Sequence, residues 1–448
     1  MSTSETGHDD YPITRVPATK RKHWFGIAVQ RFGQTSDLSQ FLLGATFGFG
    51  MTFWDAFWAF TVGALIVEAL MIFVGIAGMR QGLTTSMLAR WTGFGRGGAS
   101  VLGLAICISL IGWFGIQSGI SGAGLNQIVP EIPIWAWSLA FGLVVTLIVV
   151  RGFESMQWLA NITVPLFMIL IAWAAWAELS NHSISQLIND APPGPQLDFV
   201  TATTIVAGSA VLGAVITPDM TRYNKSAGDV VKQTVVGMTL GNYSIGMIGV
   251  LLAHAVKTAD VTQIIFSSVG WIGILIIVLG TSKINDWNLY SAGLGVVAFF
   301  NSAMNKRLNR GHVTLLLGVV GTVLAAIGIL DKFIDILMVL GVVFPPVAGI
   351  IMAEYFVVRK WRPLLEASRD SGLPPAESPN WIPATFVIWA SSATLGYFVT
   401  WGLPAFNSLA AAFVLYIIAG KLNLLRSYGD KQRSNEITPS KEESVTAP

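Results

Sequence analysis

Long apolar stretches follow one another along the chain from Trp24 almost to Lys421, and only short polar segments separate them. A helix needs about 20 mainly apolar residues to cross a lipid bilayer. The pattern therefore predicts an all-α, polytopic membrane protein with about twelve transmembrane helices, which we number as spans one to twelve. The predicted spans lie near residues 24–50, 56–79, 98–126, 133–151, 156–178, 198–222, 230–256, 264–299, 313–330, 333–358, 381–401 and 404–420.

Charged residues are scarce, at 12% of the chain against about 25% in a soluble globular domain, and hydrophobic residues make up 53%. The spans leave no room for a soluble catalytic domain, and membrane lipid is the expected surrounding. The net charge is only +2. Because the basic residues lie in loops, they indicate topology and not a nucleic-acid partner. The single cysteine, Cys107, lies in an apolar run and excludes an intramolecular disulfide.

Lysine and arginine follow the positive-inside rule along the whole chain. With a cytoplasmic N-terminus, nearly all basic loop residues fall on the cytoplasmic side, and the outer loops hold only Lys257 and Lys332. A miscounted helix would exchange the two populations halfway along. We therefore expect a multi-pass protein of the cell (inner) membrane with both termini cytoplasmic. Residues 1–23 and 421–448 are predicted to be solvated tails, the first of them disordered.

Two spans carry small and polar residues at a depth where lipid favours an unbroken helix. Span one has Gly33 and Asp37 in the stretch 33–40, and span six has Gly208, Ser209 and Gly213 in the matching position. Broken helices in corresponding positions of two halves are typical of a transporter built from inverted repeats. The alternative is that these glycines only allow close helix packing.

Four groups of short strings occur in order from the loop after span two to span ten. They are Gly82-Leu83-Thr84-Thr85 with Leu88-Ala89-Arg90, Gly112-Trp113-Phe114-Gly115, Asn285-Asp286 with Leu289-Tyr290, and Pro345-Pro346-Val347 with Ala353-Glu354-Tyr355. In combination they resemble the bacterial cytosine permeases, members of the nucleobase cation symporter family.

The resemblance implies a core of inverted five-helix repeats with broken helices one and six. The repeats would cover about 24–178 and 198–358, with two peripheral helices at about 381–420. It also implies alternating access and a planar heterocycle, with no cofactor, bound between spans one, three, six and eight. Trp113 matches the family's stacking tryptophan. Gly208 and Ser209 match the family's span-six turn, where exposed backbone groups bond the ligand. The oligomeric state stays open.

A flat ring with polar edges needs an aromatic face and groups that donate and accept hydrogen bonds. Asn285 and Asn288, three apart in an otherwise apolar span eight, are predicted to bind the ring edges because an amide does both. Ser109 and Gln117 lie one turn on either side of Trp113 and are also candidates. For each of these polar residues, cross-linking between helices is the alternative.

The substrate prediction rests on three further positions. Gln40 of span one is a candidate ligand-binding residue because of its depth. Ala210 replaces an aromatic residue of the cytosine permease pattern after the span-six serine, and Leu110 replaces a glutamine three residues before the tryptophan. The second aromatic face and one edge contact are therefore missing. A purine or a hydantoin-like compound fits this pattern as well as cytosine does.

The ion site of the pattern is also changed. Lys283 stands where sodium-coupled relatives have paired hydroxyl residues, and Asp37 replaces an apolar residue near a matching Gly33. A charge at membrane depth is costly unless it is paired. We therefore predict a salt bridge between Lys283 and Asp37 in the vacated site and transport without sodium. Proton coupling, uncoupled transport and a purely structural Lys283 remain alternatives.

Other classes of membrane protein fit the sequence less well. The 5 histidines are scattered over tails, loops and helix ends, so the catalytic or metal cluster of an enzyme is not visible. Neither repeated filter sequences nor charged rings of an ion channel are found. An amino-acid transporter of the same inverted-repeat fold is the main alternative, because a fold does not fix its ligand.

Overall fold

Helices occupy every predicted span in the computed structural model, which describes residues 11, 14–151, 153–304, 306, 308–399 and 401–429. The first half comprises Trp24–Thr35 and Leu38–Gly50 in span one, Phe53–Gln81 in span two, Gly95–Ile128 in span three, Ile134–Val150 in span four and Phe153–Leu179 in span five. The second half comprises Phe199–Val215 and Pro218–Thr221 in span six, Ala227–Gly241 and Met247–Val256 in span seven, Val261–Val269 and Gly273–Met304 in span eight, Arg310–Ala326 in span nine, and Phe333–Val343 and Pro345–Met352 in span ten. Pro383–Phe398 and Pro404–Lys421 form spans eleven and twelve.

Shorter pieces complete the helical structure. The π-helical turn Asn242–Gly246 joins the two helices of span seven, and a second one, Ala353–Val358, ends span ten. The loops contain the short helices Thr85–Ala89, Ile184–Asn189 and Arg362–Ala367 and the 3-10 turn Ile329–Lys332.

The outer surface of the bundle is apolar, as a lipid environment requires. Among the described residues, 6 helical segments are long and apolar enough to cross a membrane, and shorter apolar helices accompany them. Large side chains such as Trp176 and Trp401 point away from the bundle, at 69% and 84% exposure. The chain is therefore a helical membrane protein.

The packing of the spans has the pairing expected of two related halves. Span three packs along span eight, and span four packs along span nine. Span one packs along span seven, and span two along span six. Each span of the first repeat has its counterpart five spans further along the chain. Exchanging the counterparts leaves this set of pairs unchanged, which is the pattern of two structurally related repeats.

Span one leaves the helical conformation inside the polar stretch 33–40. The first helix ends at Thr35, Asp37 is extended, and the second helix begins at Leu38. The carboxylate of Asp37 caps the second helix by accepting a hydrogen bond of 2.9 Å from the main-chain nitrogen of Gln40. A short acidic side chain at this position satisfies a free N–H group and faces the positive end of the helix dipole.

Span six differs from the prediction. The helix runs without a break through Gly208 and Ser209, and it is interrupted only at Ile216 and Thr217, ahead of Pro218. The predicted break at 208–213 is therefore wrong. Proline lacks the N–H group that would continue the helix, whereas the glycine serves close packing. A Cβ atom on Gly208 would lie 3.1 Å from the main-chain nitrogen of Gly341 in span ten.

The segment 14–23 was predicted as part of a disordered tail, but it is folded against the loops at the predicted cytoplasmic end. Arg15 is buried and donates hydrogen bonds to both oxygens of Gln81 at 2.6 and 2.8 Å, and to the Leu365 carbonyl at 2.8 Å. Burial lowers the pKa of Arg15 to about 10, so it stays charged at neutral pH. The main chain of Lys22 pairs with the loop after span six by donating to the Tyr223 carbonyl at 2.7 Å.

Candidate functional site

Lys283 of span eight reaches the interruption of span one. Its ammonium donates a hydrogen bond to the main-chain oxygen of Ser36 and lies 4.5 Å from the centre of the Phe167 ring. The Ser36 carbonyl directly follows the C-terminal end of the helix Trp24–Thr35. A cation at this position interacts favourably with the negative end of the helix dipole and with the aromatic face.

The prediction of a salt bridge between Lys283 and Asp37 is wrong, because these two described residues do not form an ion pair. Asp37 instead accepts hydrogen bonds from the Ser39 hydroxyl at 2.7 Å and from the Gln40 main chain, while Lys283 binds Ser36. The two charges still attract each other electrostatically. The reason for the difference is the break itself, because one helix end stabilises the carboxylate and the other stabilises the ammonium.

Gly33 lies one turn before the interruption, inside the first helix of span one. A Cβ atom built on it would meet nothing within 4 Å. The residue therefore borders open space. Its predicted role in ion coupling stays a prediction.

Spans three and eight are joined by polar side chains at the same depth. The amide nitrogen of Asn285 donates to the Phe114 carbonyl at 3.1 Å and to the Ser118 hydroxyl at 3.0 Å. A second link, 2.5 Å long, connects the hydroxyls of Ser121 and Thr281. Asn285 thus holds the helices together with its nitrogen, whereas its oxygen is buried without a partner among the described residues.

Two further buried amides lie beside the interruption of span one. Gln117 donates a hydrogen bond to the Ser39 hydroxyl at 3.0 Å, and this hydroxyl in turn donates to the carboxylate of Asp37. The oxygen of Gln117 and the nitrogen of Gln40 are buried and lack a partner within the part of the chain that the structure describes. Together with Asn285, these residues offer one free donor and two free acceptors, which cost roughly 1–3 kcal/mol each if left unsatisfied.

Trp113 lies partly buried on span three and meets a residue that the sequence did not single out. Its ring contacts Phe333 edge to face, with 6.0 Å between the ring centres and an angle of 77°. Phe333 begins the helix of span ten and is buried. The sequence showed Phe333 only as the first residue of an apolar span. Its contact with Trp113 could not be predicted, because the two residues are far apart in sequence.

Two of the remaining candidates have partners within their own helices. The hydroxyl of Ser109 donates to the Ala105 carbonyl at 3.1 Å, and that of Ser209 donates to the Val206 carbonyl at 2.8 Å, both within their own helices. Asn288 is buried one turn after Asn285. Gly208 and Ser209 lie in a continuous helix and not in a turn, and Gly208 packs against span ten. Their predicted role in ligand binding stays a prediction.

The chain matches the family model for permeases of cytosine/purines, uracil, thiamine and allantoin over residues 15–422. The cytosine permease of Escherichia coli strain K12 is 27% identical over 405 residues, which cover 90% of this chain and 92% of the relative. The hydantoin permease of Microbacterium maritypicum is 23% identical over 430 residues, covering 88% and 84%.

Solved structures share the fold. The inward-facing conformation of Mhp1 has a TM-score of 0.77 at 18% identity and covers 96% of this chain and 100% of Mhp1. A closed conformation of Mhp1, a nucleobase-cation-symport-1 family transporter with bromovinylhydantoin bound, has a TM-score of 0.74 at 19% identity, covering 93% and 95%. The predicted all-α membrane transporter fold and the predicted resemblance are confirmed. The chain is a membrane transporter and not an enzyme, and it belongs to the family of permeases for cytosine/purines, uracil, thiamine and allantoin.

Proposed function

We propose that this protein imports a nucleobase-like heterocycle across the cell membrane by alternating access. The observation that carries the proposal is that buried amide atoms of Gln40, Gln117 and Asn285 have no hydrogen-bond partner among the described residues. Such atoms are costly in a dry interior unless a ligand or water bonds them. The edge of a nucleobase or hydantoin ring carries both carbonyl and N–H groups, and it supplies both kinds of partner.

The aromatic face comes from Trp113. Base–aromatic stacking contributes about 1–3 kcal/mol per base, and it tolerates different rings because every base has a flat face. Ala210 leaves space on span six where the cytosine permease pattern has an aromatic residue. Cytosine, a purine and an allantoin-like or hydantoin-like compound are therefore the candidate substrates.

The ion site supports transport without sodium. A main-chain oxygen at a helix interruption is a ligand that a small cation would use. In this chain the Ser36 oxygen accepts the ammonium of Lys283. We infer that the ammonium takes the place of a bound sodium ion, with Asp37 nearby. If the ammonium replaces sodium, the proton is the coupling ion that we propose for this transporter.

Competition for uptake tests the substrate class. Cells that express the protein are given labelled cytosine, adenine, hypoxanthine, uracil, allantoin or a hydantoin. Unlabelled heterocycles and unlabelled amino acids are then added as competitors. We expect at least one heterocycle to be accumulated and to be displaced by other flat heterocycles. Accumulation of an amino acid, with no heterocycle taken up, would support the alternative reading of the fold.

A further inference from the structure

Trp113 differs from several other tryptophans in how its ring is held. The indole N–H groups of Trp91, Trp137 and Trp389 donate hydrogen bonds to main-chain oxygens, as buried tryptophans usually do. Within the part of the chain that the structure describes, the indole N–H of Trp113 has no such partner, and Phe333 makes the only aromatic contact of its ring. Apolar packing, with Phe333 as the aromatic partner, therefore sets the orientation of the Trp113 ring.

The two rings meet in a preferred geometry. Their centres lie 6.0 Å apart and their planes form an angle of 77°. Edge-to-face pairs of this kind attract each other through their ring quadrupoles, beyond the effect of apolar burial. Because the attraction depends on the angle between the rings, it resists rotation of the indole of Trp113. A neighbour in this arrangement covers at most one face of the indole, so Phe333 leaves the opposite face for a flat ligand.

Phe333 is itself held against span three. Its side chain is buried, and it directly follows the 3-10 turn Ile329–Lys332. A Cβ atom built on Gly115 or Gly119 of span three would lie 3.1 Å from side-chain atoms of this turn. The turn comes this close because the two glycines have no side chains. Phe333 therefore enters span ten at a fixed place relative to the helix that carries Trp113.

The orientation of the indole matters because the polar groups of the site are fixed as well. Gln117 and Asn285 are each tied to a neighbouring helix through their amide nitrogen. A flat ring has to stack on Trp113 while its edge meets the remaining amide atoms. An indole that could rotate would lose this freedom on binding, and the loss would weaken the affinity. Phe333 avoids this loss by holding the ring before the ligand arrives.

We propose that Phe333 is a positioning residue of the transport site. It holds the plane of the Trp113 ring and so prepares the stacking face for a flat heterocycle. Span ten thereby contributes to ligand recognition through a residue of span three. The inference rests on the proposed function, because it concerns the role of Trp113 at the same site.

A double-mutant cycle on the purified full-length protein tests the proposal. Dissociation constants of labelled cytosine, adenine, hypoxanthine, uracil, allantoin and a hydantoin are measured for the native chain, Phe333→Leu, Trp113→Ala and the double variant. For the ligand that the native chain binds most tightly, Phe333→Leu should raise the dissociation constant about 2-fold to 10-fold. The same substitution should change it little in the Trp113→Ala background, because the ring that Phe333 orients is absent. Equal losses in both backgrounds would overturn the proposal.

A second aromatic pair in the molecule provides the matched control. Phe94 meets Trp389 with 6.0 Å between the ring centres and an angle of 86°, at the start of span three and on span eleven. Phe94→Leu and Phe333→Leu should both lower the unfolding temperature. Only Phe333→Leu should weaken binding. A loss of affinity in Phe94→Leu as large as that in Phe333→Leu would contradict a specific role of Phe333.

The binding data also separate this inference from the proposed function. If the native chain binds none of the heterocycles, both are wrong. If the native chain binds a heterocycle and Phe333→Leu binds it equally well, the proposed function stands and only the positioning role of Phe333 is wrong.

Discussion

The two amide atoms of Asn285 have different surroundings: the nitrogen bonds span three, and the oxygen is buried without a partner among the described residues. The sequence predicted either a ligand-binding group or a helix cross-link, and the structure assigns the cross-link to its nitrogen while its oxygen stays unsatisfied. Lys283 was predicted to be held near span one, as it is, but its partner was predicted wrongly. A main-chain oxygen exposed by a helix break is invisible in a residue pattern, and so was the contact of Phe333 with Trp113.

Replacing Trp113 with Ala should weaken heterocycle binding. Loss of a stacking partner costs about 1–3 kcal/mol, which is roughly 5-fold to 150-fold in the dissociation constant. Trp113→Phe keeps an aromatic face and should retain most of the affinity. Binding of the labelled heterocycle to purified protein is the measurement. Trp176→Ala is the matched control because that side chain is 69% exposed on the surface, and a native-like affinity for Trp113→Ala would remove the stacking role.

In span six, the sequence could not decide between a broken helix and a closely packed helix. Clustered small residues indicated either a broken helix or close packing, and both weaken the apolar pattern in the same way. The choice depends on span ten, which approaches Gly208 from a distant part of the chain. In span one the helix is interrupted next to Asp37, which caps the helix that follows it.

Replacing Gly208 with Val should destabilise the transporter strongly. The added side chain would collide with the backbone of span ten near Leu337 and Gly341, and overpacking costs about 1–3 kcal/mol or more. Thermal unfolding in detergent should show a lower midpoint. Gly103→Val is the control, since it lies on span three with nothing within 4 Å of its Cβ position. Equal midpoints for the two variants would contradict the close packing.

At the scale of the whole molecule, hydropathy and basic loop residues predicted the helical membrane architecture and the order of the spans. The pairing of spans follows from the relation between the two halves, which short motifs indicated. The N-terminal segment was missed because a polar stretch with little apolar content resembles a solvated tail. Its attachment depends on Arg15, whose donors match oxygens from several loops.

Replacing Arg15 with Ala should loosen the loops at the predicted cytoplasmic end. Hydrogen bonds to a charged group contribute about 1.5–3 kcal/mol each, and several buried oxygens would lose their donor. Limited proteolysis should cut the loop near Leu365 and Ser368 faster, and the unfolding midpoint should fall. Lys20→Ala, at an exposed position of the same segment, is the control. Unchanged proteolysis in Arg15→Ala would show that the segment does not hold these loops.

The most direct test of the account is uptake of the preferred heterocycle into proteoliposomes in sodium buffer and in choline buffer at the same pH. Because Lys283 already occupies the oxygen at the span-one interruption, we predict equal initial rates in the two buffers for the native protein. Lys332→Ala, at an exposed position of a predicted outer loop, should behave like the native protein. A rate several-fold higher in sodium than in choline would contradict the account.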